Sequence, residues 1–384
     1  MTDEEGKFVL EDLDPELLFE LLVYQEGFVP LYSGRYLDPD HGAVTLTLRA
    51  HDLDTRDPER VLRGVVLDTH QRPIPRATIH PVGRKRGTGQ QYGGLDGVDD
   101  LALSNENGAF ALGLSAPGEE LLISIESPGY APRTAYWLRA GPEPHEIVMK
   151  VGVTVRGVVT KDGQPLRGAE LGLAQDDRSG EHFTGEHTVG TDAEGRFTFV
   201  NVPPDDAWHL YGKMASLREH GALPARPVRT GADGSTLDVG TLVLEPGARL
   251  AGRVVLSDDR ELPEDLRILL GRENAWDTQV AAVRADGTFA LDGVPRELCT
   301  LDARVPGYVV SERNASCDFL NKMGLLGVVD GDVEDLVLLL EPGEEQTTFD
   351  SRGFGEGLWE RYQNLRKTPL RGAPVEATAP AGER

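Results

Sequence analysis

One five-residue pattern occurs four times and most constrains what this chain can fold into. It reads Gly6-Lys7-Phe8-Val9-Leu10, Gly108-Ala109-Phe110-Ala111-Leu112, Gly195-Arg196-Phe197-Thr198-Phe199 and Gly287-Thr288-Phe289-Ala290-Leu291. Its apolar residues alternate, the period of a strand with one buried face, so Phe8, Phe110, Phe197 and Phe289 are predicted core residues. Turn residues precede each copy: Asp3, Asn105 with Asn107, Asp192 and Asp286. Asp and Asn bond their own backbone in turns, and Gly supplies a positive φ, so each copy predicts one arm of a hairpin.

Two further elements recur with it. Gly27-Phe28, Pro128-Gly129-Tyr130 and Pro306-Gly307-Tyr308 follow at a nearly fixed offset of about 20 residues, and Leu217 stands at that place in the third copy. An opening strand is read at Gly64-Val65-Val66, Gly157-Val158-Val159 and Gly252-Arg253-Val254-Val255. A closing apolar strand is read at Val44 to Leu48, Ile147 to Met149, Leu242 to Leu244 and Leu336 to Leu340. Leu-Glu-Pro-Gly ends two of these units, at residues 244–247 and 340–343. The repeat interval of about 90–100 residues holds enough short strands for a two-sheet sandwich. The predicted fold is therefore all-β, a tandem array of Greek-key sandwiches. The expected divisions are residues 1–56 (the C-terminal half of a repeat), 57–150, 151–247 and 248–343, then a tail, 344–384. In the tail, Leu358, Trp359, Tyr362 and Leu365 fall on one side of a short helix over 354–367, and the Pro/Ala/Gly-rich end reads as disordered.

The order Gly-x-Val, Pro-Ile/Leu, Ala, Asp-x-x-Gly-x-Phe, Pro-Gly-Tyr resembles the carboxypeptidase regulatory-like domain. The resemblance runs from Gly64 to Tyr130, from Gly157 to Phe199 and more loosely from Gly252 to Tyr308. It implies transthyretin-like sandwiches of about seven strands and a non-catalytic accessory, adhesive or structural role. It also implies an extracellular, periplasmic or cell-envelope location. Against that pattern residues 1–56 lack the opening strands, so Met1 is expected to sit inside a repeat; a shortened domain that caps the array is the alternative.

Composition narrows the partners. The net charge of −25 over 384 residues opposes nucleic-acid binding, and no apolar run is long enough to cross a membrane as a helix. No signal peptide is visible in the chain. Cys299 and Cys317 lack zinc-site spacing; a disulfide between them and two free thiols are both open readings.

The chemical candidates are few. His182-Phe183-Thr184-Gly185-Glu186-His187 is one residue too long for the His-x-x-Glu-His metallopeptidase helix and lies in a Gly-containing loop. Asp96-Gly97-Val98-Asp99-Asp100 and Asp330-Gly331-Asp332-Val333-Glu334-Asp335 offer oxygen ligands for weak calcium binding, but neither fits an EF-hand. Arg84-Lys85-Arg86 reads as a solvated hairpin tip or, alternatively, a dock for an acidic partner. Trp137, Trp208 and Trp276 are candidate sugar-stacking residues. Serine-nucleophile, P-loop and dinucleotide motifs are absent. No catalytic, cofactor-binding or metal-ligating residue is assigned. The sequence reading is a non-enzymatic display, adhesion or docking array with an unidentified protein or glycan partner; a carbohydrate-binding module is the alternative.

Overall fold

The computed structural model describes residues 3, 5–14, 17–25, 27–33, 37–38, 42–178, 184–320, 322–344 and 356–374. The protein is built of tandem β-sandwiches. It divides into two compact units, one mainly of residues up to Gly152 and one mainly from Val153 onward.

The first unit contains one sandwich. Its first sheet runs His145–Met149, Val61–Asp68, Ala109–Gly113 in spatial order. Its second runs Gly89–Tyr92, Thr78–Arg86, Glu120–Glu126, Arg133–Arg139. The second unit repeats this arrangement twice. Thr236–Val243, Val153–Lys161 and Arg196–Val202 face Glu186–Gly190, Glu170–Gln175, Ala207–Gly212 and Arg226–Arg229. Val333–Pro342, Ala248–Leu256 and Thr288–Val294 face Thr278–Ala282, Arg267–Arg272, Leu298–Ala303 and Gly324–Val328. In all three sandwiches the closing strand lies parallel to the opening strand, and the Gly-x-Phe strand pairs antiparallel on its other side.

The register explains the repeat. Gly64 stands opposite Phe110, Gly157 opposite Phe197 and Gly252 opposite Phe289. A Cβ on Gly64 would lie 2.4 Å from the Phe110 ring, and one on Gly157 would lie 2.8 Å from the Phe197 ring. In the first two sandwiches the opening glycine is thus the space that the aromatic ring fills, which ties two distant motifs into one cross-strand contact; at Gly252 the missing Cβ, which would lie 1.9 Å from the Leu336 carbonyl oxygen, instead admits the Leu336 backbone. All three rings are buried, each within its own sandwich's core. The turns repeat as well. Asn105 Oδ1 accepts from the amides of Asn107 and Ala109, and Asp192 Oδ1 accepts from those of Glu194 and Arg196. Bonding of this kind holds the Asp192 carboxyl below the usual carboxylate range, the amide of Arg196 contributing most.

The first copy of the motif departs from expectation. Asp3 closes the same turn, with its Oδ1 accepting from Glu5 and Lys7. Phe8, however, lies outside any strand and is only half-buried, and Val9 is 77% exposed. In the complete sandwiches the ring stands opposite the glycine of a paired opening strand. Among the described residues no strand pairs with residues 6–10, so Phe8 has no such seat. Residues 44–48, read as a closing strand, alternate in exposure without joining a ladder. The described strands here are Leu22–Val23 and Leu31–Tyr32.

In the tail, residues 366–374 are more ordered than their composition implies, and the rest of the Pro/Ala/Gly-rich end, 375–384, lies outside the described residues. A helix, Glu356–Leu365, forms as read, but residues 366–374 then dock on the last sandwich. The Val328 amide donates to Thr368 O and the Leu370 amide to Val328 O, while the Ala373 amide donates to Val337 O. Leu370 is fully buried in that core. Unpaired edge groups of Val328 and Val337 are thereby satisfied, and an apolar side chain fills the gap between the sheets.

Cys299 and Cys317 are free, buried thiols of the same core. Burial pushes both thiols up, Cys317 to about 12. Because the thiolate is the reactive form, neither should react within minutes with a disulfide reagent at about pH 8 in the folded protein. Both of the two thiols should appear on denaturation; rapid native labelling of either would contradict their placement.

Candidate functional site

A dense meeting of charged side chains lies within the second unit, between its two sandwiches. It starts from a break in a strand pattern. In Arg267–Arg272 the inward positions are Ile268, Leu270 and Arg272, so alternation drives a guanidinium inward with two aliphatic residues. The Arg272 side chain is fully buried. Its Nε donates to Glu297 (2.6 Å), Nη1 to Gly212 O (2.7 Å) and Asp277 (3.1 Å), and Nη2 to Leu223 O (3.1 Å). Gly212 and Leu223 belong to the preceding sandwich, so one cation joins two successive domains.

The carboxylates do the same in reverse. Glu297 accepts from the Ala225 amide (2.6 Å), and Asp277 accepts from the Met214 amide (2.9 Å). Tyr211 lies under the Arg272 guanidinium, 5.2 Å from ring centre to Cζ. Its hydroxyl donates to Glu186 and accepts from the Trp276 amide. Burial, then the Glu186 carboxylate, push that phenol far above its ordinary range, so it stays a donor. Lys213 donates to Glu186 (2.7 Å) and to Trp276 O (3.1 Å). Gly172 carries no Cβ where one would lie 2.4 Å from the Tyr211 ring.

The backbone is adapted to the same end. In place of the Pro-Gly-Tyr turn of the other repeats stands one helical turn, Met214–Leu217. Leu217 enters the core of its own sandwich, while Met214 enters the core of the next. A Cβ on Gly293 would lie 2.7 Å from Arg218 Cα, so that glycine permits close backbone approach. Burying a guanidinium costs several kcal/mol, on the order of what two carboxylates and two carbonyls in direct contact return. The arrangement has the chemistry of a specific, geometry-fixing joint.

The residues singled out in the sequence lie elsewhere. Trp208 is fully buried in the core of the second unit's first sandwich, which corrects its reading as a sugar-stacking residue. Trp137 has Lys85 4.2 Å from its ring centre and Tyr92 at its edge. Trp276 is 51% exposed. Arg84, Lys85 and Arg86 end the Thr78–Arg86 strand at a hairpin tip. His187 lies on a strand opposite Leu173, edge-on to Trp208, with its imidazole held down by burial; His182 lies outside the described residues. The acidic stretches meet the protein's own donors. Asp99 accepts from the Gly113 amide and Arg49, Asp332 accepts from the Arg249 amide, and Asp330 pairs with Arg371. Among the described residues no group of three or more His, Cys, Asp or Glu is placed to hold a metal ion, so neither calcium stretch forms such a group. No helix among them is long and apolar enough to cross a membrane.

No family model matches the chain, and no curated protein matches it in sequence. Solved structures similar to it include the Bacillus anthracis TIE protein, at 13% identity over 74% of this chain and 50% of that one, with a TM-score of 0.21. A streptococcal ancillary pilin is 13% identical over 74% of this chain and 99% of its own, with a TM-score of 0.26. GBS52, the minor pilin of Streptococcus agalactiae, is 11% identical over 52% of this chain and 100% of its own, also at 0.26. This chain spans about half the length of the TIE protein.

Proposed function

We propose that the protein is a non-catalytic structural array whose sandwiches hold a neighbouring surface or partner at a set distance at the cell envelope. Its domains on this reading are residues 57–150, 151–247 and 248–343, of the carboxypeptidase regulatory-like type, with 1–56 as a partial repeat and 344–384 as a tail. The observation that carries the proposal is the joint at Arg272. A buried polar constellation in the second unit is spent on fixing one sandwich to the next, where an enzyme would leave such groups open to a substrate cleft.

A spacer of this kind has a narrow distribution of inter-domain distances. Spin labels at Asp162→Cys and Glu261→Cys, both at exposed positions in successive sandwiches, report it by pulsed dipolar spectroscopy. A single narrow distance peak is the expected outcome. A broad distribution, as for domains on a flexible tether, removes the proposal.

A further inference from the structure

A cavity of about 370 Å³ in the first unit is lined by Arg49, Arg56 and Arg60 together with Asp99, Gly113 and Ser115. Three guanidiniums converging on one cavity are unexpected in a chain of net charge −25. The lining loop is the acidic Asp96-to-Asp100 stretch, and its chemistry is the opposite of a cation site. The Asp99 carboxylate is already occupied, with one oxygen accepting from Arg49 (2.5 Å) and the other from the Gly113 amide (2.7 Å).

The arginines are held but not saturated. Arg56 donates through Nη2 to Asp52 (2.7 Å), which in turn holds the Asp52 carboxyl below its ordinary range. Arg60 donates through Nη1 to Ser115 O (3.0 Å). Among the described residues each guanidinium thus makes one hydrogen bond of this kind, out of the five N–H donors that each carries, with Asp52 also 3.9 Å from Arg49 and Asp57 4.0 Å from Arg60. The walls are cut back beside Arg56 and Ser115. A Cβ on Gly113 would lie 2.1 Å from Arg56 Nη1, and one on Gly97 would lie 2.4 Å from Ser115 Oγ.

We infer that this cavity is a binding site for a small organic carboxylate of about the size of a sugar acid. Planar guanidinium forks match a carboxylate in two-point contacts, and Asp99, Asp52 and the Ser115 carbonyl hold Arg49, Arg56 and Arg60 in place before the ligand arrives. The volume lies at the lower end of the range of small-molecule pockets, which favours one such unit over an extended chain.

The test is titration calorimetry of the full chain with sodium glucuronate at low ionic strength, with glucose as the neutral probe of the same size. Glucuronate should give a saturable heat and glucose none. Arg60→Gln should weaken glucuronate binding by about tenfold to a hundredfold, the scale of one lost charge-assisted contact. Arg56→Gln should do the same; Arg60, 44% exposed, decides the matter if Arg56→Gln impairs folding. Equal binding of glucose, no saturable heat, or unchanged binding in Arg60→Gln would each overturn the assignment.

Discussion

Arg272→Ala should lower the stability of the second unit by about 3–5 kcal/mol, because it strands two buried carboxylates without their cation. Glu297 and Asp277 lie with their side chains about nine-tenths buried, and both contact Arg272. The carbonyls of Gly212 and Leu223 lose a donor at the same time. In urea unfolding followed by tryptophan fluorescence, the transition containing Trp208 and Trp276 should move to lower denaturant. The triple variant Arg272→Met, Asp277→Asn, Glu297→Gln should recover much of the loss, since replacing a whole buried ionic group costs far less than breaking it. A parental midpoint for Arg272→Ala would show that water already reaches the joint.

The second large effect separates a real core position from its sequence look-alike. Phe110→Ala should destabilise the first sandwich by about 3–5 kcal/mol, through lost burial plus the cavity left over Gly64. Phe8→Ala, in the same five-residue motif, should change stability by less than about 1 kcal/mol, since Phe8 is half-buried and unpaired by a strand. Thermal or urea unfolding of the two variants beside the parent measures both. Equal losses would mean that residues 6–10 are packed like the complete repeats.

The comparison of Phe8 with Phe110 shows where local sequence stops being sufficient. The Asx turn at Asp3 forms as it does at Asn105 and Asp192, because its hydrogen bonds span only four residues. Burial of the ring needs an opposed glycine that is tens of residues away in sequence, and the motif itself does not contain it. The tail makes the same point in the other direction. Its Pro/Ala/Gly composition reads as disorder, yet Leu370 is buried because open edges at Val328 and Val337 accept it. Trp208 and Trp276 differ again: both are tryptophans in strand-rich sequence, and only packing places one inside and leaves the other exposed.

The charged groups were the least legible. Arg272 left one local trace, a cation at an inward position after Ile268 and Leu270. Gln175 occupies the same place after Leu171 and Leu173, and there it bonds to Asp206 within its own sandwich. Nothing near either residue distinguishes an internal partner from one supplied by the neighbouring domain. Likewise Asp99 reads as a calcium ligand until Arg49, 50 residues earlier, is brought to it.

By itself the sequence determined the strand period, the turns and the tandem plan, because those follow from backbone sterics and from hydrogen bonds between near neighbours. Tertiary structure alone decided which charges would be buried together and which apolar residues would find a seat. Those outcomes depend on desolvation and on partners far apart along the chain, and only the folded arrangement brings them within reach.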